Sequence, residues 1–187
     1  MLNPDFPIET ERLLLRPLDP DKDVEDIFAY QSRPDVCRYI PYEPRTREQI
    51  AERLADTDRT RSTLDKDGQV MSLAVELRET GRVIGDVVLI YSSAEHQCAE
   101  IGYVLNPEYH GNGYMTEACH ALLALAFDGL KVRRVTARID DRNEASAAVL
   151  RRLGMRQEAH LIENELFKGE WTSEIDFAIL AAEWHSR

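Results

Sequence analysis

Two glycines one residue apart, Gly111 and Gly113, stand in "NPEYHGNGYMTEA" where a loop-like start runs into a helix. Glycine reaches backbone conformations that other residues avoid, and it lets amides approach a ligand closely. The first amides of a helix lack intrahelical partners, and the helix dipole favours negative charge beside them. The pair therefore suits either a tight turn or an anion site. Eleven residues earlier, Glu100 interrupts the apolar run "CAEIGYVL". A carboxylate on a half-buried strand has a raised pKa unless it is paired, which fits a group that takes up a proton. The other reading is a structural Glu, bonded to an amide or a surface cation. Downstream, Asn143 and Ser146 open "NEASAAVLRRLG", Asn143 in the position of a helix N-cap and Ser146 as a small helix residue.

Those residues need elements to hold them. "ETERLLLRPL" reads as a strand, "DPDKDVEDIFAYQS" as a helix, and "PYEPR" as a breaker. "TREQIAERLADTDRTRS" is a polar helix with Ile50 and Leu54 an i,i+4 pair. "VMSLAVEL" and "RVIGDVVLIYS" are strands joined by "RETG" as a hairpin, and "AEIGYVL" is a third strand of that group. "TEACHALLALAFDGL" continues the glycine segment as an apolar helix ending near Gly129. "RRVTARI" is a strand, "NEASAAVLRRLG" a helix closed by Gly154, and "RQEAHLIENELF" and "EIDFAILAAEW" are two final strands. The order is β-α-α-β-β-β-α-β-α-β-β, with a βαβ unit around the glycines.

Composition narrows the function. The chain has 187 residues, one domain over 1–187, and a net charge of −11. That charge argues against nucleic acid as a partner, which needs a basic face. It suits either a cationic acceptor or plain solubility. No apolar run reaches the ~20 residues of a membrane span, so no membrane partner is expected, and a cytoplasmic location is the expectation. Cys37, Cys98 and Cys119 are far apart, and the five histidines are scattered, so no metal is expected. Cys119 and His120 point about 100° apart on their helix and form no dyad. Walker A and Rossmann loops both fail: no Lys follows Gly113, and Thr116 stands where a third glycine belongs.

The joint pattern "AEIGYVLNPEYHGNGYMTEACHALLALAF", then Asn143, Ser146 and "RRLGM", resembles the acyl-CoA-binding core of the GNAT superfamily of N-acetyltransferases. It is similar above all to the RimJ/RimL branch of ribosomal-protein N-terminal acetyltransferases. "TERLLLRPL" and "GEWTSEIDFAIL" resemble the ends of that branch, so the resemblance covers Glu9 to Trp184. It implies an α+β fold in α/β/α layers. The sheet would be central, mixed, mostly antiparallel and strongly twisted, with about seven strands, a splayed parallel pair and about four helices.

The resemblance also implies acetyl-CoA as cosubstrate. Gly111, Asn112, Gly113, Tyr114, Met115 and Thr116 would hold its pyrophosphate. The backbone of Tyr103, Val104 and Leu105, and the Asn143 side chain, would hold the pantetheine arm. Glu100 would be the general base. Ser146 would lie near the thiol as general acid. A primary amine, either a protein N-terminus or a small molecule, would attack the thioester directly, and the enzyme would be a monomer or homodimer. Three positions depart from the family pattern: Glu108 replaces a common Gln or Arg, Leu150 a common catalytic Tyr, and Met155 a Phe. The alternatives are a catalytically silent acyl-CoA-binding or regulatory module, and a transferase of another acyl group such as succinyl.

Overall fold

Alternation along the strands separates two faces of one sheet. In Val70–Leu77, Met71, Leu73, Val75 and Leu77 enter the main core, while Ala74 packs on the other side with Ile27, Tyr30, Ile50, Leu54 and Val83. In the computed structural model, which describes residues 1–58 and 60–186, eight strands form this sheet. They are β1 (Ile8–Glu9), β2 (Leu13–Pro17), β3 (Val70–Leu77), β4 (Arg82–Ser93), β5 (Cys98–Leu105), β6 (Arg134–Asp140), β7 (Arg156–Phe167) and β8 (Glu170–Leu180). Their spatial order is β1-β2-β3-β4-β5-β6-β8-β7, and only β5 and β6 run parallel.

Helices α1 (Val24–Gln31) and α3 (Arg47–Ala55) cover one face, with the short α2 (Pro34–Cys37) between them. Helices α4 (Tyr114–Ala124) and α5 (Glu144–Arg152) pack on the other face, burying Ala118, Cys119, Leu122, Leu123, Ala147 and Leu150 in the main core. A five-residue π-helical turn, Leu125–Gly129, closes α4, and α6 (Ala181–His185) follows β8. The result is the expected α+β architecture in α/β/α layers, and no helix among the described residues is long and apolar enough to cross a membrane.

The structure corrects several element boundaries. The two-residue β1 raises the strand count from about seven to eight. The final strand stops at Leu180, and "AAEW" belongs to α6, whose start is held by the Glu183 carboxylate accepting from the Leu180 amide at 2.7 Å. The polar helix expected over 46–62 ends at Ala55, and position 59 of that stretch lies outside the described residues. Its start is a capping box, in which Thr46 and Gln49 each accept the other's amide. Pro34–Cys37, a stretch assigned to no element from the sequence, is helical, and Pro34 at its first position was the available signal.

Candidate active site

β5 and β6 part company midway. Their parallel pairing runs only through Cys98↔Arg134, Ala99↔Val135 and Glu100↔Thr136, although both strands continue. On its other edge β5 stays paired to β4 as far as Gly85↔Leu105. Tyr103, Val104 and Leu105 thus keep one backbone edge turned to an open fork. Gly85 makes this possible, because a Cβ there would collide with the Val104 carbonyl. An isolated glycine within a strand pattern was the sequence signal for that close approach.

A cleft of about 1390 Å³ opens at the fork. Tyr103, Val104, Leu105, Gly111, Asn112, Gly113, Tyr114, Met115, Thr116, Asn143 and Ser146 all line it. Gly111 and Gly113 have φ of 80° and 78°, in the left-handed region where glycine carries no Cβ penalty. No atom lies within 4 Å of where a Gly111 Cβ would sit, so the loop faces open cleft. Gly113 precedes α4, no side chain caps that helix, and its first intrahelical bond of this turn is Glu117 N–H to the Gly113 carbonyl at 3.1 Å. The amides of Tyr114, Met115 and Thr116 are left for an outside acceptor. Such a terminus suits a phosphate oxygen.

A carboxylate in the first turn, Glu117, would repel that phosphate if left bare. It is not bare. Thr10 Oγ1 (2.6 Å), the Arg12 amide (2.8 Å) and Arg12 Nε (2.7 Å) all donate to it. Burial pushes the Glu117 carboxyl up, but these bonds outweigh it and hold it below its ordinary value of 4.5. Arg12 Nη1 also donates to the Asn112 carbonyl at 2.9 Å, and the guanidinium lies over the Tyr114 ring. One arginine from β2's approach therefore ties the glycine loop to the helix it enters. Glu117→Gln should destabilise the fold at neutral pH by about 1.5–3 kcal/mol, the cost of losing hydrogen bonds to a charged group. A carboxyl whose folded pKa is depressed stabilises above its unfolded pKa and loses that effect as pH falls through the folded value. The deficit should accordingly shrink below about pH 4.5, checked by urea unfolding of both proteins across pH.

Asn143 caps α5: its Oδ1 accepts the Ser146 amide at 3.1 Å, leaving its amide nitrogen outside the cap. The Ser146 carbonyl accepts from the Tyr103 hydroxyl at 3.0 Å. Tyr103 was expected to contribute backbone alone with its ring in plain packing. Its ring does pack against the main core, and its hydroxyl also spans the fork to join β5 to α5, with burial driving the hydroxyl pKa well up. Cys119 is fully buried in the core.

Glu100 does not stand on the cleft wall. Ala99 and Ile101 enter the main core, so Glu100 points to the opposite face, at the last paired step before the strands part. Burial pushes its carboxyl above the usual range; nearby Arg138 opposes this, and Asp176 and Glu174 add to the rise. Arg138 is itself bonded to Asp176 at 2.7 Å. The cleft reaches toward this second face, since Val104 and the α2 residues Asp35 and Val36, with Tyr39 and Ile40 just beyond, also line it. The segment after α2 is latched from afar. Lys168, in the β7–β8 turn, donates to the Cys37 and Tyr42 carbonyls at 2.8 Å each.

Sequence reasoning did not find Arg12, Glu117, Gly85, Tyr39 or Lys168 as parts of this site. For the first pair, an acid in the first turn of a proposed anion-binding helix should itself have prompted a search for a cation.

The model of the acetyltransferase (GNAT) domain matches residues 12–156. The uncharacterized N-acetyltransferase YnaD of Bacillus subtilis is 32% identical over 95% of this chain and 99% of its own. The putative ribosomal N-acetyltransferase YdaF of the same organism is 28% identical over 91% of each. The crystal structure of a GNAT-family acetyltransferase from Bacillus anthracis superposes with a TM-score of 0.82, at 31% identity, over 94% of this chain and 99% of that one.

Proposed function

The chain belongs to the GNAT acetyltransferase family, and from that premise we propose that it moves an acetyl group from acetyl-CoA to a primary amine, a protein N-terminus or a small molecule. The single observation that carries this reading is the fork: a free β5 edge, a glycine-opened helix N-terminus and the Asn143–Ser146 turn all share one cleft. Those features fit coenzyme A. The α4 amides suit its pyrophosphate, and the edge of Tyr103–Leu105 that no strand covers, with His110 Nε2 at 3.2 Å from the Leu105 carbonyl, suits the amides of its pantetheine arm in the manner of an added strand. No metal enters the reading. Similarity to YdaF and the motif set favour the RimJ/RimL type within the family.

The acceptor would reach the thioester from the face that carries Glu100. Its nitrogen bonds to the acetyl carbon, the C–S bond breaks, and no covalent enzyme intermediate forms. The ammonium proton passes to Glu100, directly or through water, because burial has made that carboxylate more basic. A free β5 amide polarises the carbonyl oxygen. The thiolate leaves beside Ser146, whose hydroxyl gives it a proton and regains one from solvent. Leu150 fills the place of the tyrosine used elsewhere in the family and is fully buried in the core, so it offers no proton. Most of the acceleration comes from holding the two substrates together.

The test is a panel of amines and N-terminal peptides with acetyl-CoA, reading free thiol. Release above the hydrolysis background supports the reading, and none across a broad panel favours a binding module. Ser146→Ala should lower turnover within the 10²–10⁴-fold range of general acids, at its low end because a thiolate leaves readily. Its KM values should hold, and alanine should keep α5 at least as stable. Unchanged turnover across pH would reduce Ser146 to a helix residue.

A further inference from the structure

Helix α5 turns two stripes toward the cleft. Asn143, Ser146 and Leu150 form the stripe facing the fork and core. Ala145, Ala148 and Arg152, at i, i+3 and i+7, form a second stripe about 160° away, on nearly the opposite side of the helix, and they too line the cleft. Arg152 lies ~9 Å farther along the helix axis than Ser146. Among the described residues it is the one lysine or arginine on the cleft wall. It is exposed, and no carboxylate of the described residues pairs with it. Its neighbour Arg151 pairs with Glu144 and lies near the Phe177 ring, and Arg142 is held by Asp140 and Glu170. In a chain of net charge −11, the wall acids Glu9, Asp35 and Glu117 are taken by Arg78, Arg33 and Arg12, which leaves Arg152 without one of them.

From this geometry we infer that Arg152 binds the 3′-phosphate of coenzyme A, so that the cleft selects CoA over dephospho-CoA. The inference rests on the CoA reading above. With the pyrophosphate on the α4 amides, the nucleoside lies beyond the fork, against the second stripe. Ala145 and Ala148 offer an apolar surface to the adenine, and Arg152 follows one turn on. A phosphate monoester carries a charge of about −1.5 to −2 at neutral pH. A guanidinium matches it with paired donors, which a lysine cannot do.

Calorimetric titration of the protein and of Arg152→Ala, each with CoA and with dephospho-CoA, tests the assignment. The parent should bind CoA about tenfold more tightly than dephospho-CoA, the low end for a charged hydrogen bond at an exposed site. Added salt should narrow that ratio. Arg152→Ala should bring the ratio near one by weakening CoA alone, and Arg152→Lys should keep part of it. Alanine is a good helix former, and Arg152 has no partner to lose, so the variant should fold. Equal affinities of the parent for both ligands would overturn the inference while leaving the CoA reading intact. So would a variant that weakens both ligands equally, since the guanidinium would then serve a part they share. No binding of either ligand to the parent would remove the CoA reading and the inference together.

Discussion

Gly113→Val should abolish the thermal stabilisation that coenzyme A confers while leaving a folded protein. At a hundredfold excess over Kd, a ligand that binds only the folded state adds ~2.7 kcal/mol, which raises Tm by roughly 5–11 °C in a chain of this size. NAD and ATP should raise it far less. The Gly113 φ of 78° is strained for a β-branched residue, at a cost of about 1–3 kcal/mol. Space is not the obstacle, because the nearest atom to a Cβ there is Arg12 Nη2 at an ordinary 3.7 Å. The variant relieves its strain by shifting the helix entry, which moves the Tyr114, Met115 and Thr116 amides off their common target. Losing two charge-assisted bonds at about 1.5–3 kcal/mol each weakens binding more than a hundredfold. The shift then falls to about 1 °C at the same concentration. A variant that keeps the parent's CoA shift would show that the glycine loop is only a turn.

Glu100→Gln should lower turnover by about 10²–10⁴-fold with an acceptor identified by the amine panel, and leave CoA affinity unchanged. The second expectation follows from Glu100 lying off the cleft wall. The pH profile makes the test specific. Glu100 must be ionised to accept a proton, so kcat/KM of the parent should rise with pH through a carboxyl pKa displaced upward by burial. Acceptor amines titrate at about 8–10, well above that limb. Glutamine should erase the acidic limb as well as lower the plateau. If the limb survives in the variant, another group titrates there, and Asp176 and Glu174 on the same face become the carboxylates to change.

Local chemistry is what the sequence by itself determined. A positive φ is a property of one residue, so Gly111 and Gly113 announced the helix entry without any partner. An N-cap spans three residues, and Asn143 closed onto the Ser146 amide as its position required. "RETG" turned between β3 and β4, with Gly81 at φ 67°. The raised pKa of Glu100 was legible because an acid inside an apolar strand must be either paired or protonated more easily. Elements of two to five residues, β1, α2 and α6, escaped because they are too short to show a period.

Tertiary structure alone decided how distant pieces meet. Alternation says that Ala99 and Glu100 face opposite ways, but only the sheet order puts α4 against one and Arg138 beside the other. The fork exists because β5 and β6 stop pairing after Glu100↔Thr136, and no local pattern marks where pairing ends. Arg12 meets Glu117 across 105 residues, and Lys168 reaches Cys37 across 131. Propensity, capping and periodicity act over a few residues of chain. Contacts such as these are set by the order in which strands add to the sheet, and each is held by hydrogen bonds whose partners the chain brings together only once that order is complete.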